Sequence, residues 1–188
     1  PTYLLDDERP IEPTLRDLLA ERFGITGLPR NGEYDFAALL VERFTCYHRR
    51  SYVCKSGVGD VLIGAAAAIA DYNGVEKASH IRDKLVEMTH LNETIYSTGI
   101  AASYQSERMP SGVWQCDDLI ANICKHHVTK MPYELARLAQ DLAGGLVVTL
   151  PSQQDLDHDE LGPLLEKYLQ GRAGVSTEAR VRILRLIE

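Results

Sequence analysis

Between Glu76 and Glu107 the residues Ala78, Ile81, Leu85, Met88, Asn92, Ile95, Gly99 and Ala102 recur in alternating steps of three and four. That period places all eight on one seam of a helix, and the spacing predicts a single rod about 45 to 50 Å long. A rod of that length must bury its seam against other helices or other subunits. Asn92, polar within the seam, is expected to fix register through a structural contact.

The flanking segments obey the same periodicity. Phe36, Leu39, Leu40, Phe44 and Tyr47 predict a helix from Tyr34 to about Arg50. Gly57 and Gly59 are expected to interrupt the pattern, with Asp60 capping a mostly buried helix from Val61 to about Tyr72 that Asn73-Gly74 stops. Met109-Pro110-Ser111-Gly112 reads as a loop. Further helices are expected at 117–128, at 132–143 with Pro132 in its first turn, at about 159–170 and from Thr177 onward, with an extended stretch at 147–151. Upstream, Leu15, Leu18, Leu19 and Phe23 suggest a short amphipathic segment within an acidic, proline-containing region 1–31. Strand signals are almost absent and no repeat recurs. The expected class is all-α, an antiparallel helical bundle over 32–188 with 1–31 as an N-terminal extension.

Charge and cysteine usage narrow the function classes. With 27 acids against 20 bases among 188 residues, the formal charge is −7, which disfavours phosphate backbones and anionic membranes. No uncharged apolar run reaches the roughly 18 residues of a membrane span. No nucleic-acid or membrane partner is expected. The four cysteines, at 46, 54, 116 and 124, form no close pair, and no leader pattern opens the chain, so the expected setting is a reducing cytoplasm.

Chemistry concentrates between Tyr47 and Asp60, where His48, Tyr52, Cys54 and Lys55 lie near a helix end. A thiolate beside an imidazole suits iron or zinc. On an unbroken helix His48 and Cys54 would stand about 9 Å apart along the axis and about 120° apart around it, so they could share a metal centre only where the helix ends or distorts. Spacing alone leaves packing and ligation both open. Lys55 could lower the pKa of Cys54, which would serve a metal ligand or a reactive thiol equally. Cys116, Cys124, His126 and His127 match no common zinc spacing, and core packing is the favoured reading for the cysteines. The two histidines are expected to complement a helix C-terminus. Gln140-Asp141-Leu142-Ala143-Gly144-Gly145 ends a helix on two glycines, read either as a C-cap or as a place where backbone approaches a ligand. His80 and His90 fall on the long helix as surface or inter-helix residues.

Several stretches together resemble the 4-hydroxybutyryl-CoA dehydratase family of the 4-hydroxyphenylacetate 3-hydroxylase superfamily. They are Glu42-Arg43-Phe44, Tyr47-His48-Arg49, Ser51-Tyr52, Cys54-Lys55, the run from Gly57 to Ala66, Ala70 to Gly74, Lys77 to His80, Lys84 to Thr94, and Pro132 to Gly145. The resemblance implies an acyl-CoA-dehydrogenase-like C-terminal helical domain, a homotetramer, FAD and a 4Fe-4S cluster. The implied activity is dehydration of 4-hydroxybutyryl-CoA to crotonyl-CoA, with isomerisation of vinylacetyl-CoA, and the acyl-CoA is the implied substrate partner. By the same resemblance His48 and Cys54 ligate the cluster and His48 is also the base. Tyr52 and Lys55 stand near cluster and flavin, and Gln140, Ala143, Gly144 and Gly145 touch the flavin dinucleotide across a subunit boundary. The resembled sequences carry one more residue between the His and the Cys, where Val53 stands alone here.

The resemblance also implies a flavin-binding β-domain, two further cluster cysteines and a later catalytic Glu that these 188 residues do not supply, so the chain is expected to be a fragment, a split gene product or a partner for a separate N-terminal chain. The chain alone is then expected to be catalytically incomplete. Two other readings are a flavin-dependent aromatic (4-hydroxyphenylacetate) monooxygenase domain and a non-catalytic helical oligomerisation module.

Overall fold

The computed structural model describes residues 34–188. The segment around Leu15 to Phe23 lies outside the described residues. The chain divides between Tyr47 and His48 into two compact units. Helix α1 spans Tyr34–Ser51, one residue beyond the expected end, and the second unit holds everything that follows.

The fold of that second unit is all-α, apart from one short hairpin. After a 3-10 turn at Tyr52–Lys55 come α2 (Ser56–Tyr72), α3 (Ser79–Tyr104), α4 (Asp118–Val128), α5 (Met131–Ala143), a second 3-10 turn (Gly145–Val148), α6 (Gln153–Leu156), α7 (Leu161–Tyr168) and α8 (Thr177–Ile187). Strands β1 (Glu107–Arg108) and β2 (Trp114–Gln115) pair antiparallel around the expected 109–112 loop, which Met109 N–H closes on Val113 O at 2.8 Å.

The long seam organises the packing. Helix α3 is 26 residues long, about 39 Å, and buries Ile81, Met88, Asn92, Ile95, Gly99 and Ala102. Against it lie α2, α4 and α5, and the core combines Ala65, Ala66, Ile69 and Ala70 of α2 with Leu135, Leu138, Ala139 and Leu142 of α5 and Leu184 and Ile187 of α8. Alanines on α2 let helices approach closely, while leucines of α5 fill the space. Helix α8 and the loop before it are fastened to the end of α2: Arg180 of α8 donates to Asn73 Oδ1 at 2.9 Å, and Arg172 of the loop pairs with Asp71 at 2.8 Å. Caps set several boundaries, with Asp117 Oδ1 accepting from Ile120 N at 2.7 Å before α4 and a Ser152/Asp155 capping box before α6.

Three expectations fail, each for a tertiary reason. Helix α2 begins at Ser56, so Gly57 and Gly59 lie inside it rather than breaking it. Gly59 is buried against Asn92, and Asp60 is no cap: its Oδ1 accepts from Asn92 Nδ2 at 2.7 Å. The stretch at 147–150 is not extended, because Val147 turns into the core on the second 3-10 turn. The helical stretch Ala38–Tyr72 meets the length and composition of a membrane span, with a mean hydropathy of 1.5 over its most apolar 18-residue window. Its α2 portion is a bundle helix, with Ala66, Ile69 and Ala70 wholly buried.

Candidate functional site

The residues 48–55 change winding at the point where the sequence concentrates its chemistry. The 3-10 turn Tyr52–Lys55 lies directly on α3: a Cβ placed on Gly99 would sit 2.5 Å from Val53 Cβ, so the absence of a side chain at 99 admits Val53. Serine hydroxyls hold both edges of the turn, Ser51 Oγ donating to His48 O at 2.6 Å and Ser56 Oγ to Val53 O at 2.8 Å. Tighter winding reduces the angle between residues 48 and 54 from about 120° on an α-helix to about 60°. His48 and Cys54 therefore leave the rod nearer one face than an unbroken helix would place them.

Side chains lock this segment to α3 and α4. Arg50 Nε donates to Ser103 Oγ at 2.5 Å, and Arg49 donates to Asn122 Oδ1. His48 Nε2 and Tyr52 Oη are 3.1 Å apart, their rings edge to face with centroids 4.9 Å apart and planes at 81°. The ammonium of Lys125, on α4, lies 3.8 Å from the centroid of the Tyr52 ring. Lys125 carries no sequence signal as a site residue, because the contact spans 73 positions.

Exposure sorts the four cysteines. Cys46, Cys116 and Cys124 are buried, and Cys54 is exposed. Burial pushes the Cys124 thiol pKa up, opposed by a hydrogen bond from Thr98, and its Sγ faces Ile95 O at 3.8 Å. It is a packing residue, as is Cys116, while His126 and His127 occupy the last turn of α4. Among the described residues no group of three or more His, Cys, Asp or Glu side chains could hold a metal ion. Cys54, exposed on the 3-10 turn, and His48, exposed in the last turn of α1, are by type suited to two corners of a multi-iron cluster that would need ligands from elsewhere, and do not by themselves make a closed mononuclear site.

Lys55 lines an open cavity of about 320 Å³ with Val58, Leu62, Val128, Tyr133 and Leu135, a mostly apolar recess with one ammonium at its edge. Gln140, Gly144 and Gly145 are exposed at the end of α5, whereas Ala143 is buried. Gly144 adopts φ 79° and ψ −175°, a conformation essentially reserved for glycine, and a Cβ there would meet nothing within 4 Å. The turn thus leaves backbone open to a flat or phosphorylated group, which fits a flavin dinucleotide. Next to it Asp141 pairs with Lys84 at 2.5 Å, which holds its carboxyl below the usual range.

The structure does not bring the two sets together. The His48–Lys55 segment rests on Gly99, and the Gln140–Gly145 segment is tied to Lys84, about 22 Å away along α3.

Residues 37–188 match the family described as 4-hydroxyphenylacetate 3-hydroxylase C terminal. The chain is 52% identical to the 4-hydroxybutyryl-CoA dehydratase/vinylacetyl-CoA-Δ-isomerase of Clostridium aminobutyricum, over 83% of this chain and 34% of that protein. It superposes on the oxygen-tolerant archaeal 4-hydroxybutyryl-CoA dehydratase of N. maritimus with TM-score 0.81 and 71% identity, covering 84% of this chain and 31% of that one. A likeness at 24% identity and TM-score 0.68, covering 74% of this chain and 29% of the other, joins it to the oxygenase component of 4-hydroxyphenylacetate 3-monooxygenase and concerns the fold. The chain spans about a third of the length of the curated dehydratase it matches.

Proposed function

Because the chain belongs to the 4-hydroxyphenylacetate 3-hydroxylase C-terminal family, we propose that it supplies the helical part of the active site of a 4-hydroxybutyryl-CoA dehydratase that also isomerises vinylacetyl-CoA. The observation that carries this reading is the 3-10 turn with Tyr52, Cys54 and Lys55, directly after His48 at the end of α1 and with Tyr52 Oη 3.1 Å from His48 Nε2, in a chain 52% identical to such an enzyme. His48 and Cys54 would hold two corners of a 4Fe-4S cluster. Gln140, Gly144 and Gly145, supported by the buried Ala143, would cradle FAD.

When bound, these groups supply one-electron chemistry and a Lewis-acidic iron, which an unactivated β-hydrogen and a poor hydroxyl leaving group require. The chain's own residues do the rest. Tyr52 Oη, 3.1 Å from His48 Nε2, would orient the ring, and an imidazole that is also an iron ligand would take up the substrate proton only on giving up its bond to iron. Lys55 places a positive charge at the edge of an open, mostly apolar recess, where it would attract a polarised thioester or a departing oxygen.

The 22 Å between the two sets is consistent with each FAD being held by one subunit and facing the turn of another. A homotetramer would meet that need, and exposed apolar side chains such as Leu119 at 69% and Trp114 at 59% give it surface to bury. The remaining cluster ligands and the flavin β-domain would come from other parts of the complete enzyme.

The test is anaerobic purification of the complete enzyme with iron, sulfide and FAD analysis. Wild type should carry all three and convert 4-hydroxybutyryl-CoA to crotonyl-CoA, whereas His48→Gln and Cys54→Ser should lose iron while keeping their helical content. Full iron content and turnover in both variants would overturn the assignment. Hydroxylation of a phenol by an iron-free, FAD-binding preparation would point instead to the monooxygenase reading.

A further inference from the structure

The two longest runs of this chain without Asp or Glu are 43–59 and 119–133, in a sequence whose formal charge is −7. The first carries Arg43, Arg49, Arg50 and Lys55, and the second Lys125 and Lys130 with His126 and His127. The fold sets residues 49–59 against the second run. Arg49 donates to Asn122 Oδ1, the Lys125 ammonium lies 3.8 Å from the centre of the Tyr52 ring, and Lys55 and Val58 line one recess with Val128, Pro132 and Tyr133. The carboxylates next along the chain are engaged elsewhere, Asp60 with Asn92 and Glu134 with Arg137.

The elbow between α4 and α5 holds its shape through its own backbone. Lys130 N donates to His127 O at 3.0 Å, Tyr133 N donates to Lys130 O at 3.2 Å, and Pro132 fixes the first turn of α5. Lys130 is exposed and stands between Val128 and Pro132, so its stem begins at the rim of the recess. Lys125, in the last turn of α4, already complements the helix dipole, and Lys130 lies beyond that turn. Burial and the neighbouring His126 push the pKa of His127 down, so the fixed charge of the elbow belongs to lysine. Among the described residues the ion pairs engage Lys84, Arg137, Arg172 and Arg182, and none engages Lys55, Lys125 or Lys130.

We infer that the α4–α5 elbow, through Lys130, is a phosphate-binding surface for a ligand whose uncharged arm enters the recess of about 320 Å³ that Lys55 and Val58 line. The identity of that ligand rests on the functional reading above, under which the phosphates are those of the CoA half of the thioester. A polyanion is repelled by a chain of net charge −7 except where a local patch of cations reverses the field, and an ammonium serves phosphate as a compact point charge. A concave, mostly apolar recess beside that patch suits the arm of a small molecule, which a flat acidic protein surface would leave unfilled.

The experiment is isothermal titration calorimetry of the 188-residue chain with CoA, adenosine 3′,5′-bisphosphate, pantetheine and FAD, in wild type, Lys130→Gln, Val58→Trp and Lys167→Gln. Lys167 is exposed on α7, outside both runs, and its variant makes the same change of net charge; circular dichroism checks that each variant is folded. Lys130→Gln should weaken CoA and the bisphosphate by about three- to tenfold and leave pantetheine unchanged. Val58→Trp, which puts a large ring at an exposed lining position, should weaken CoA and pantetheine and spare the bisphosphate. Lys167→Gln should change none of them. Failure of wild type to bind CoA at millimolar ligand would overturn the inference, as would equal losses in Lys130→Gln and Lys167→Gln, which would reduce the effect to net charge. Weakened FAD with unchanged CoA in Lys130→Gln would assign the phosphates to the flavin and overturn it too. None of these affinities depends on iron or turnover, so the inference can fail while the dehydratase reading stands, and the reverse.

Discussion

Val53 of the 3-10 turn and Gly99 of α3 are in contact so close that a methyl group on residue 99 would lie 2.5 Å from Val53 Cβ. That contact sets the height of the turn above the long helix, and with it where Tyr52, Cys54 and Lys55 emerge. The chemistry of the segment thus depends on a packing contact between residues 46 positions apart.

Gly99→Ala should lower stability by about 1–3 kcal/mol, because the added carbon overpacks the contact between the α3 backbone and the β-branched Val53 side chain. Gly64→Ala, on the same bundle but with open space where its Cβ would go, should instead be neutral or raise stability by up to about 1 kcal/mol through helix propensity. Urea denaturation of both variants checks the pair. Equal effects would mean that Val53 does not seat on Gly99.

Asn92 and Gly59 make a second close contact, with a Cβ at 59 falling 2.0 Å from Asn92 Oδ1. Gly59→Ala should be destabilising, and Asn92→Ala should be destabilising through loss of its bond to Asp60. Combined, the two should cost less than their sum, because shortening Asn92 removes the obstacle that the new methyl meets. A double-mutant cycle reads this as a coupling of about 0.5–3 kcal/mol. Strict additivity would show that the two residues do not share the space.

What the sequence made legible was whatever obeys a period. The α3 seam emerged because Ile81, Met88, Ile95 and Ala102 repeat at helical spacing, and six of its eight positions are buried, with Ala78 and Leu85 half-buried. Helices α4 and α5 were visible from Asp117 and Pro132 at their starts. What stayed hidden arises between distant residues. Gly57 and Gly59 look like a break until Asn92 is seen closing on Gly59. Nothing in Tyr52-Val53-Cys54-Lys55 announces a 3-10 turn, because Gly99 provides its seat. The candidate residues His48, Tyr52, Cys54 and Lys55 were readable as a cluster, whereas Lys125 over Tyr52 was not.

Asp141 predicts an acid limb of stability. Its hydrogen bond to Lys84 lowers its pKa from the ordinary value of 3.8, so the folded state binds that proton less readily than the unfolded chain. The stabilisation is fully present above 3.8 and is lost as pH falls through the lower folded value. With both partners substantially exposed it should amount to no more than about 1 kcal/mol. Asp141→Asn should therefore be less stable than wild type at pH 7, with the difference shrinking steadily on acidification below pH 3.8. A difference that did not change with pH would place the effect in packing instead of in the ion pair.

Thiol reactivity tests how the turn presents Cys54. Buried thiols react slowly both because reagent cannot reach them and because burial disfavours the thiolate, as the raised pKa of Cys124 illustrates. With Cys46, Cys116 and Cys124 buried and Cys54 exposed, the native chain without metal should release one equivalent of chromophore quickly with a disulfide reagent, and the other three only on unfolding. Cys54→Ser should abolish the fast phase, and Cys124→Ser should leave it intact. In complete enzyme reconstituted with iron and sulfide the fast phase should vanish as well, because a coordinated thiolate is protected from the reagent. A fast thiol that persists at full iron loading would mean that Cys54 lies outside the cluster, and the dehydratase site would then have to be built without it.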